Sequence, residues 1–134
     1  MMDKYSQKRF DVLKEDAIDR EALEAIDYAY PGKEIVVEYF TEEFTSVCPW
    51  SGLPDFGRLS IKYVPDRLLI ELKSLKYYLL SYRQVGILQE HAVNQILQDL
   101  VVICQPIKMT VEMEFSPRGG IGTKVTASYE RKKG

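Results

Sequence analysis

The spacing of apolar residues changes period along the chain, and each change marks an element. Residues 1–19 alternate charges with few apolar side chains and predict a mobile or loosely docked N-terminal extension. Residues 20–30 have the composition of a short helix, stopped by Pro31-Gly32. The stretch 34–44 is rich in Ile, Val, Tyr and Phe and predicts a strand. A loop containing Pro49, Gly52 and Pro54 follows over 48–54. Strand character returns over 56–64, turns at Pro65-Asp66 and resumes over 67–71. Leu75, Tyr78, Leu79 and Tyr82 then recur at i, i+3, i+4 and i+7, the stripe of a helix. Val93, Ile96, Leu97, Leu100, Val101 and Cys104 form a second, longer stripe beyond Gly86. The last quarter has period two. Met109, Val111, Met113 and Phe115 face one way, while Lys108, Thr110, Glu112 and Glu114 face the other. After Pro117-Arg118-Gly119-Gly120, the residues Val125, Ala127 and Tyr129 resume the apolar face.

The order is ββααββ, which predicts an α+β fold: an antiparallel sheet with two helices on one face, in a single domain over 20–134. Such a sheet leaves two strand edges open, and pairing with further copies of the chain would satisfy them.

Composition sets the class. A chain of 134 residues suffices for one domain with a modest core. Its 46% hydrophobic and 28% charged residues are those of a globular protein. A net charge of −2 argues against a nucleic-acid partner, and Arg131-Lys132-Lys133 reads as a solubilising tail. No cationic start precedes an apolar segment, and no run of 18 apolar residues occurs, so no membrane partner is expected. The two cysteines, Cys48 and Cys104, make one bridge at most, and both are read as reduced thiols of a cytoplasmic protein.

The two thiols differ in setting. Cys104 lies on the apolar stripe of the second helix and is expected in the core. Cys48 lies in a loop at a strand end, where either burial or reactivity suits it. Two cysteines and the single His91, without a CxxC pair, fall short of a zinc ligand set, so no metal is expected. A Cys48–His91 pair of the protease kind is a minor alternative. Asp55 is either a turn residue after Pro54 or an acid held at a fixed distance from Cys48. Glu90 suits either the start of a helix or a ligand with adjacent N–H donors.

The segment Glu71-Leu72-Lys73-Ser74-Leu75-Lys76-Tyr77-Tyr78 runs from an apolar strand into a helix start, with Lys73 and Lys76 on one face of the first turn. Lysines there add to the positive end of the helix dipole, which costs stability unless an anion sits nearby. A phosphate-bearing ligand fits that need, and a plain solvated helix start is the alternative. No GxGxxG and no βαβ series are present, so no Rossmann site is expected, and Gly119-Gly120 reads as a hairpin turn.

Residues 71–78 match every place of a signature: Glu, Ser or Leu, Lys, Ser or Ala, a hydrophobic residue, Lys, Leu or Tyr, and an aromatic. With Phe44-Thr45-Ser46-Val47-Cys48-Pro49, Asp55, Ser81-Tyr82-Arg83, Gln89-Glu90, Asn94 and Pro117-Arg118-Gly119-Gly120-Ile121, the chain resembles the unimodular 7-cyano-7-deazaguanine reductases, the nitrile reductases of queuosine tRNA-modification biosynthesis. That resemblance implies the tunnelling fold, with subunits joined into an oligomeric barrel, a pentamer or paired pentamers, and with sites between protomers. It implies Cys48 as the nucleophile that forms a thioimide, and Asp55 as the proton donor. It implies Ile70, Glu71, Leu72, Gln89 and Glu90 as the substrate contacts, and Lys73, Ser74, Lys76 and Arg118 as holders of NADPH. Many members carry His before the glutamate, where this chain has Gln89 and places His91 after it. A cyclohydrolase-like purine or pterin enzyme of the same fold, or a non-catalytic purine-binding subunit, are the alternatives.

Overall fold

The computed structural model describes residues 11–132, and four of its strands form one antiparallel sheet. In chain order the elements are β1 (Ala25–Asp27), β2 (Val37–Val47), β3 (Pro54–Val64), β4 (Leu68–Ile70), α1 (Leu72–Leu80), α2 (Gln89–Cys104), β5 (Lys108–Arg118) and β6 (Ile121–Glu130). The sheet order is β2-β3-β5-β6, while β1 and β4 form a separate two-stranded ribbon. The α+β class and the placement of both helices on one face agree with the sequence patterning.

Period two sets the faces. Leu59, Ile61 and Tyr63 of β3 and Met109, Val111, Met113 and Phe115 of β5 all point to the helix side and are buried. Val93, Ile96, Leu100 and Cys104 of α2 close over them, with Leu75, Tyr78 and Tyr82 from the α1 region alongside. Burial of each such side chain stabilises the fold by about 1.5–3 kcal/mol. On the opposite face polar pairs cross the strands: Ser60 donates to Glu38 at 2.6 Å, and Lys124 meets Glu112 at 3.3 Å. Gly57 is required by the core itself. A Cβ there would stand 2.7 Å from Met113 Sδ.

Three expectations are corrected. The stretch 20–30 is not a helix: a 3-10 turn at Arg20–Ala22, capped by the Asp19 carboxylate, leads into β1. Ala25, Ile26 and Asp27 pair with Ile70, Leu69 and Leu68, so long-range strand pairing overrides the local helix preference. Residues 11–19 are docked rather than loose. Leu13 exchanges hydrogen bonds with Gln84 and Gly86, and Ile18 is 4% exposed in the core; residues 1–10 lie outside those described. The first long strand also runs later than 34–44, ending at Val47, with a bulge between Thr41 and Phe44.

A polar network inside the helix layer carries no sequence signal. Tyr78 donates to Asp99 Oδ2 at 2.6 Å and lies 2.8 Å from the Tyr82 hydroxyl, while Gln95 and Arg20 reach Asp99 Oδ1. With its own proton given to Asp99, Tyr78 accepts from Tyr82. The network fastens α1, α2 and the Arg20–Ala22 turn together.

Candidate active site

Cys48 follows directly on the last residue of β2, and the loop closes around it. Its amide donates to Leu53 O, and Gly52 N donates back to Cys48 O, both at 2.9 Å. The neighbouring Val47 bonds to the 85–87 segment through Val85 O and Ile87 N. Gly86 permits this approach: a Cβ there would overlap Val12 Cγ1 and come within 3.1 Å of Pro49 Cα. The segment then enters α2, so the first turn of that helix stands beside the thiol. Leu88, the residue capping α2, contributes no side-chain hydrogen bond to its free amides.

Asp55 reaches the same place from β3. It pairs across the ladder with Ser46 and shares the core face with Gly57, Leu59 and Ile61, one step nearer the sheet's end. It is 4% exposed. Arg118, at the tip of the β5–β6 hairpin, brings Nη1 to 3.1 Å from Asp55 Oδ1. The approach is off the donor axis, so Oδ1 is paired ionically yet makes no hydrogen bond. Cys48, Pro49, Trp50, Asp55, Ile87, Leu88, Gln89, Glu90 and Arg118 line a cavity of about 70 Å³.

The electrostatics of the pair run in opposite directions. Hydrogen bonding from the Ser51 hydroxyl and amide, helped by the Trp50 amide and the Arg118 guanidinium, lowers the Cys48 thiol from 9.0 to about 7 against the effect of burial. Burial raises the Asp55 carboxyl above the usual range, opposed by Arg118 and by the Gln89 side chain. A thiol poised to ionise near neutrality and an acid held toward its protonated form therefore face one cavity. That is the equipment for adding sulfur to an unsaturated carbon while protonating its neighbour.

Glu90 lies on the exposed first turn of α2. Its backbone carbonyl accepts from Asn94, and among the described residues no hydrogen bond or ion pair engages its carboxylate. Gln89 stands next to Asp55. His91 is exposed and is not among the residues lining the cavity.

The signature segment lies elsewhere. Glu71, Leu72, Lys73 and Lys76 line a groove of about 600 Å³ between α1 and the outer part of β2, with Tyr39, Phe40, Leu79 and Arg83 among its walls. No residue lines both this groove and the Cys48 cavity. Arg118, grouped with the lysines in the sequence, sits with Cys48 and Asp55 instead. Glu71 is the N-cap of α1: its two carboxylate oxygens accept from Lys73 N at 3.1 Å and Ser74 N at 2.6 Å, and the Ser74 amide is the main cause of its lowered pKa. The anion needed at this helix start is thus supplied by the chain. Ser74 has a buried hydroxyl held between Glu24 and Glu71 O. Ile70 is 1% exposed, so its side chain belongs to the core. Lys73 and Lys76 are exposed, and their ammonium groups beside a groove of this size fit the phosphates of a dinucleotide. Among the described residues no group of three or more His, Cys, Asp or Glu is arranged to hold a metal ion, and no helix is long and apolar enough to cross a membrane.

Comparison with known proteins shows the family. The family model described as QueF-like protein matches residues 54–134. A protein of Caldicellulosiruptor bescii named NADPH-dependent 7-cyano-7-deazaguanine reductase is 63% identical over 131 residues, which cover 98% of this chain and all of that one. Proteins of the same name from Thermoanaerobacter pseudethanolicus and Chlorobaculum tepidum are 58% and 51% identical, covering 99% and 87% of this chain and 100% and 99% of theirs. The chain belongs to the QueF-like reductase family. An apo crystal structure of an archaeosine synthase QueF-Like superposes with a TM-score of 0.65 at 22% identity, covering 78% of this chain and 100% of that one. At that identity the match speaks for the shared tunnelling fold alone.

Proposed function

We propose that this chain reduces the nitrile of 7-cyano-7-deazaguanine to 7-aminomethyl-7-deazaguanine with NADPH, through a thioimide on Cys48, in the cytoplasmic pathway to queuosine in tRNA. The observation that carries the reading is the pairing of Cys48 and Asp55 about one cavity, with the thiol lowered to about 7 and the carboxyl raised by burial. Relatives over 50% identical and bearing the reductase name support it.

Each residue has a task in this scheme. Cys48 Sγ adds to the nitrile carbon, and Asp55 passes its proton to the nitrile nitrogen, so that a C–S bond and an N–H bond replace one bond of the C≡N group. Glu90 accepts two adjacent N–H groups of the deazaguanine ring, a pattern that adenine-like rings lack. Leu72 and the exposed rim of α1 add apolar wall. Lys73 and Lys76 hold the phosphates of NADPH, which supplies hydride when bound. Cys48 leaves as thiolate when the carbon has been reduced once, and its low pKa favours that departure.

The two pockets suit a site shared between copies. A cavity of about 70 Å³ does not hold a deazapurine, and hydride transfer requires reacting atoms within about 3–3.5 Å. Since the cavity and the groove share no lining residue, the complete site is formed where the groove of one copy closes the cavity of another, in the homo-oligomeric barrel of pentamers or paired pentamers. The open edges of β2 and β6 are the surfaces that join it.

The decisive assay mixes protein, 7-cyano-7-deazaguanine and NADPH and follows the nicotinamide absorbance against product. Taking a nitrile to an amine needs four electrons, so two NADPH should be consumed per amine formed, with a strong chelator having no effect. A ratio of one, or inactivation by the chelator, rejects the scheme.

A further inference from the structure

Two buried side-chain oxygens in this protein lack a hydrogen bond among the described residues: Ser46 Oγ and Asp55 Oδ1. They belong to directly paired residues. Ser46 and Asp55 are register partners across β2 and β3, and partners of an antiparallel ladder project to the same face with Cβ atoms about 4.5–5.5 Å apart. Ser46 is 0% exposed, and it precedes Cys48 by two positions. Its hydroxyl therefore lies sealed from solvent on the same face of the sheet as the acid.

A buried hydroxyl and a buried carboxyl oxygen without partners each cost stability, and a hydrogen bond between them removes both costs at once. The serine hydroxyl rotates freely to suit a partner, and a change of rotamer at χ1 turns it toward the facing side chain. A bond there also settles a question of mechanism. Asp55 has two oxygens, and only a proton on the cavity side can reach a nitrile nitrogen. Oδ1 is sealed from solvent and already faces Arg118, so a hydroxyl donor on it leaves Oδ2 to carry the proton.

We propose that Ser46 is a positioning residue for Asp55: its hydroxyl donates to Oδ1, so that the transferable proton resides on Oδ2. Arg118 meets the same Oδ1 through its ionic contact. The remaining groups facing the carboxyl are Cys48 from the end of β2 and Gln89 and Glu90 from the first turn of α2. The inference rests on the reading of Asp55 as the acid, yet the couple is measurable in the protein without substrate.

The test is a carbon-13 titration of aspartate-labelled protein, with the Asp55 carboxyl identified by its loss in Asp55→Asn. A hydroxyl that donates to a carboxylate favours the charged form, so Ser46→Ala should raise the Asp55 midpoint by about one pH unit. Ser46→Thr, which retains the hydroxyl, should return it to the original value. Ser46→Cys, kept under reductant, replaces the hydroxyl by a weak donor of similar size and should shift the midpoint as alanine does, which covers the case in which the alanine protein does not fold. Titrations of Ser46→Ala or Ser46→Cys that superimpose on the parent overturn the proposal. Failure of the parent to form a mass adduct with 7-cyano-7-deazaguanine would count against the reductase reading, and leaves the Ser46–Asp55 titration to stand or fall by itself.

Discussion

Cys48 and Cys104 are one side chain in two surroundings. Both are almost without solvent exposure, at 6% and 1%, yet their thiols move in opposite directions. Cys104 faces the sheet from the last turn of α2 among apolar neighbours. Burial there pushes its pKa from 9.0 up to about 12. Cys48 is covered by a loop whose hydroxyl and amides point at the sulfur, and its pKa falls to about 7. Low exposure alone does not decide reactivity. The polar groups that replace water decide it: a core supplies none, while a loop folded back on a strand end supplies several.

The largest test of this contrast is covalent labelling. Without cofactor, the protein should gain the mass of one 7-cyano-7-deazaguanine per site; Cys48→Ala should abolish the gain, and Cys104→Ala should retain it. An adduct that survives Cys48→Ala or maps to Cys104 would break the comparison outright.

The next effect concerns the groove apart from the cavity. Lys73→Ala and Lys76→Ala should each cost about 1.5–3 kcal/mol of NADPH binding, roughly 10- to 150-fold in KM, with adduct formation on Cys48 intact. Because the two pockets lie apart on one chain, mixing Cys48→Ala with Lys73→Ala after partial dissociation should restore activity, while Cys48→Ala mixed with Glu90→Ala should not. Rescue by the second mixture instead of the first would show that the cavity, not the groove, is divided between copies.

Smaller is the structural role of Cys104. Cys104→Ser buries a hydroxyl in apolar surroundings and should destabilise the fold by about 1–3 kcal/mol in urea unfolding, with Cys48 chemistry unchanged in the folded protein. A neutral Cys104→Ser would mean that a polar partner reaches this position.

The smallest effect is graded. In the folded protein, iodoacetamide should label Cys48 with a rate that rises as pH increases through about 7, since only the thiolate reacts. Removing a group that stabilises the thiolate moves this midpoint up, toward 9.0. Ser51→Ala should move it further than Arg118→Gln, because the Ser51 hydroxyl is the larger cause. The reverse order, read by mass spectrometry of the labelled peptide, would make the guanidinium the dominant influence.

Periodicity determined the faces of this protein. The alternation over Met109–Phe115 and the helical stripe ending at Cys104 each became buried surface as their spacing required, because side-chain direction follows backbone geometry residue by residue. Local composition also separated Cys48, in a Pro/Gly-containing loop, from Cys104 on an apolar stripe. What tertiary structure alone decided were the meetings between distant segments. Residues 25–27 became a strand because residues 68–70 offered them a ladder, and residues 11–19 docked because the 84–86 segment offered backbone partners. Arg118 joined Cys48 and Asp55 rather than the lysines because the hairpin register carries its tip back over the end of β3. Glu71 spent its carboxylate on its own helix, and Ser46 came to face Asp55 across two strands. Pairings of this kind depend on registers and loop closures summed over the whole chain, and no local window of sequence contains them.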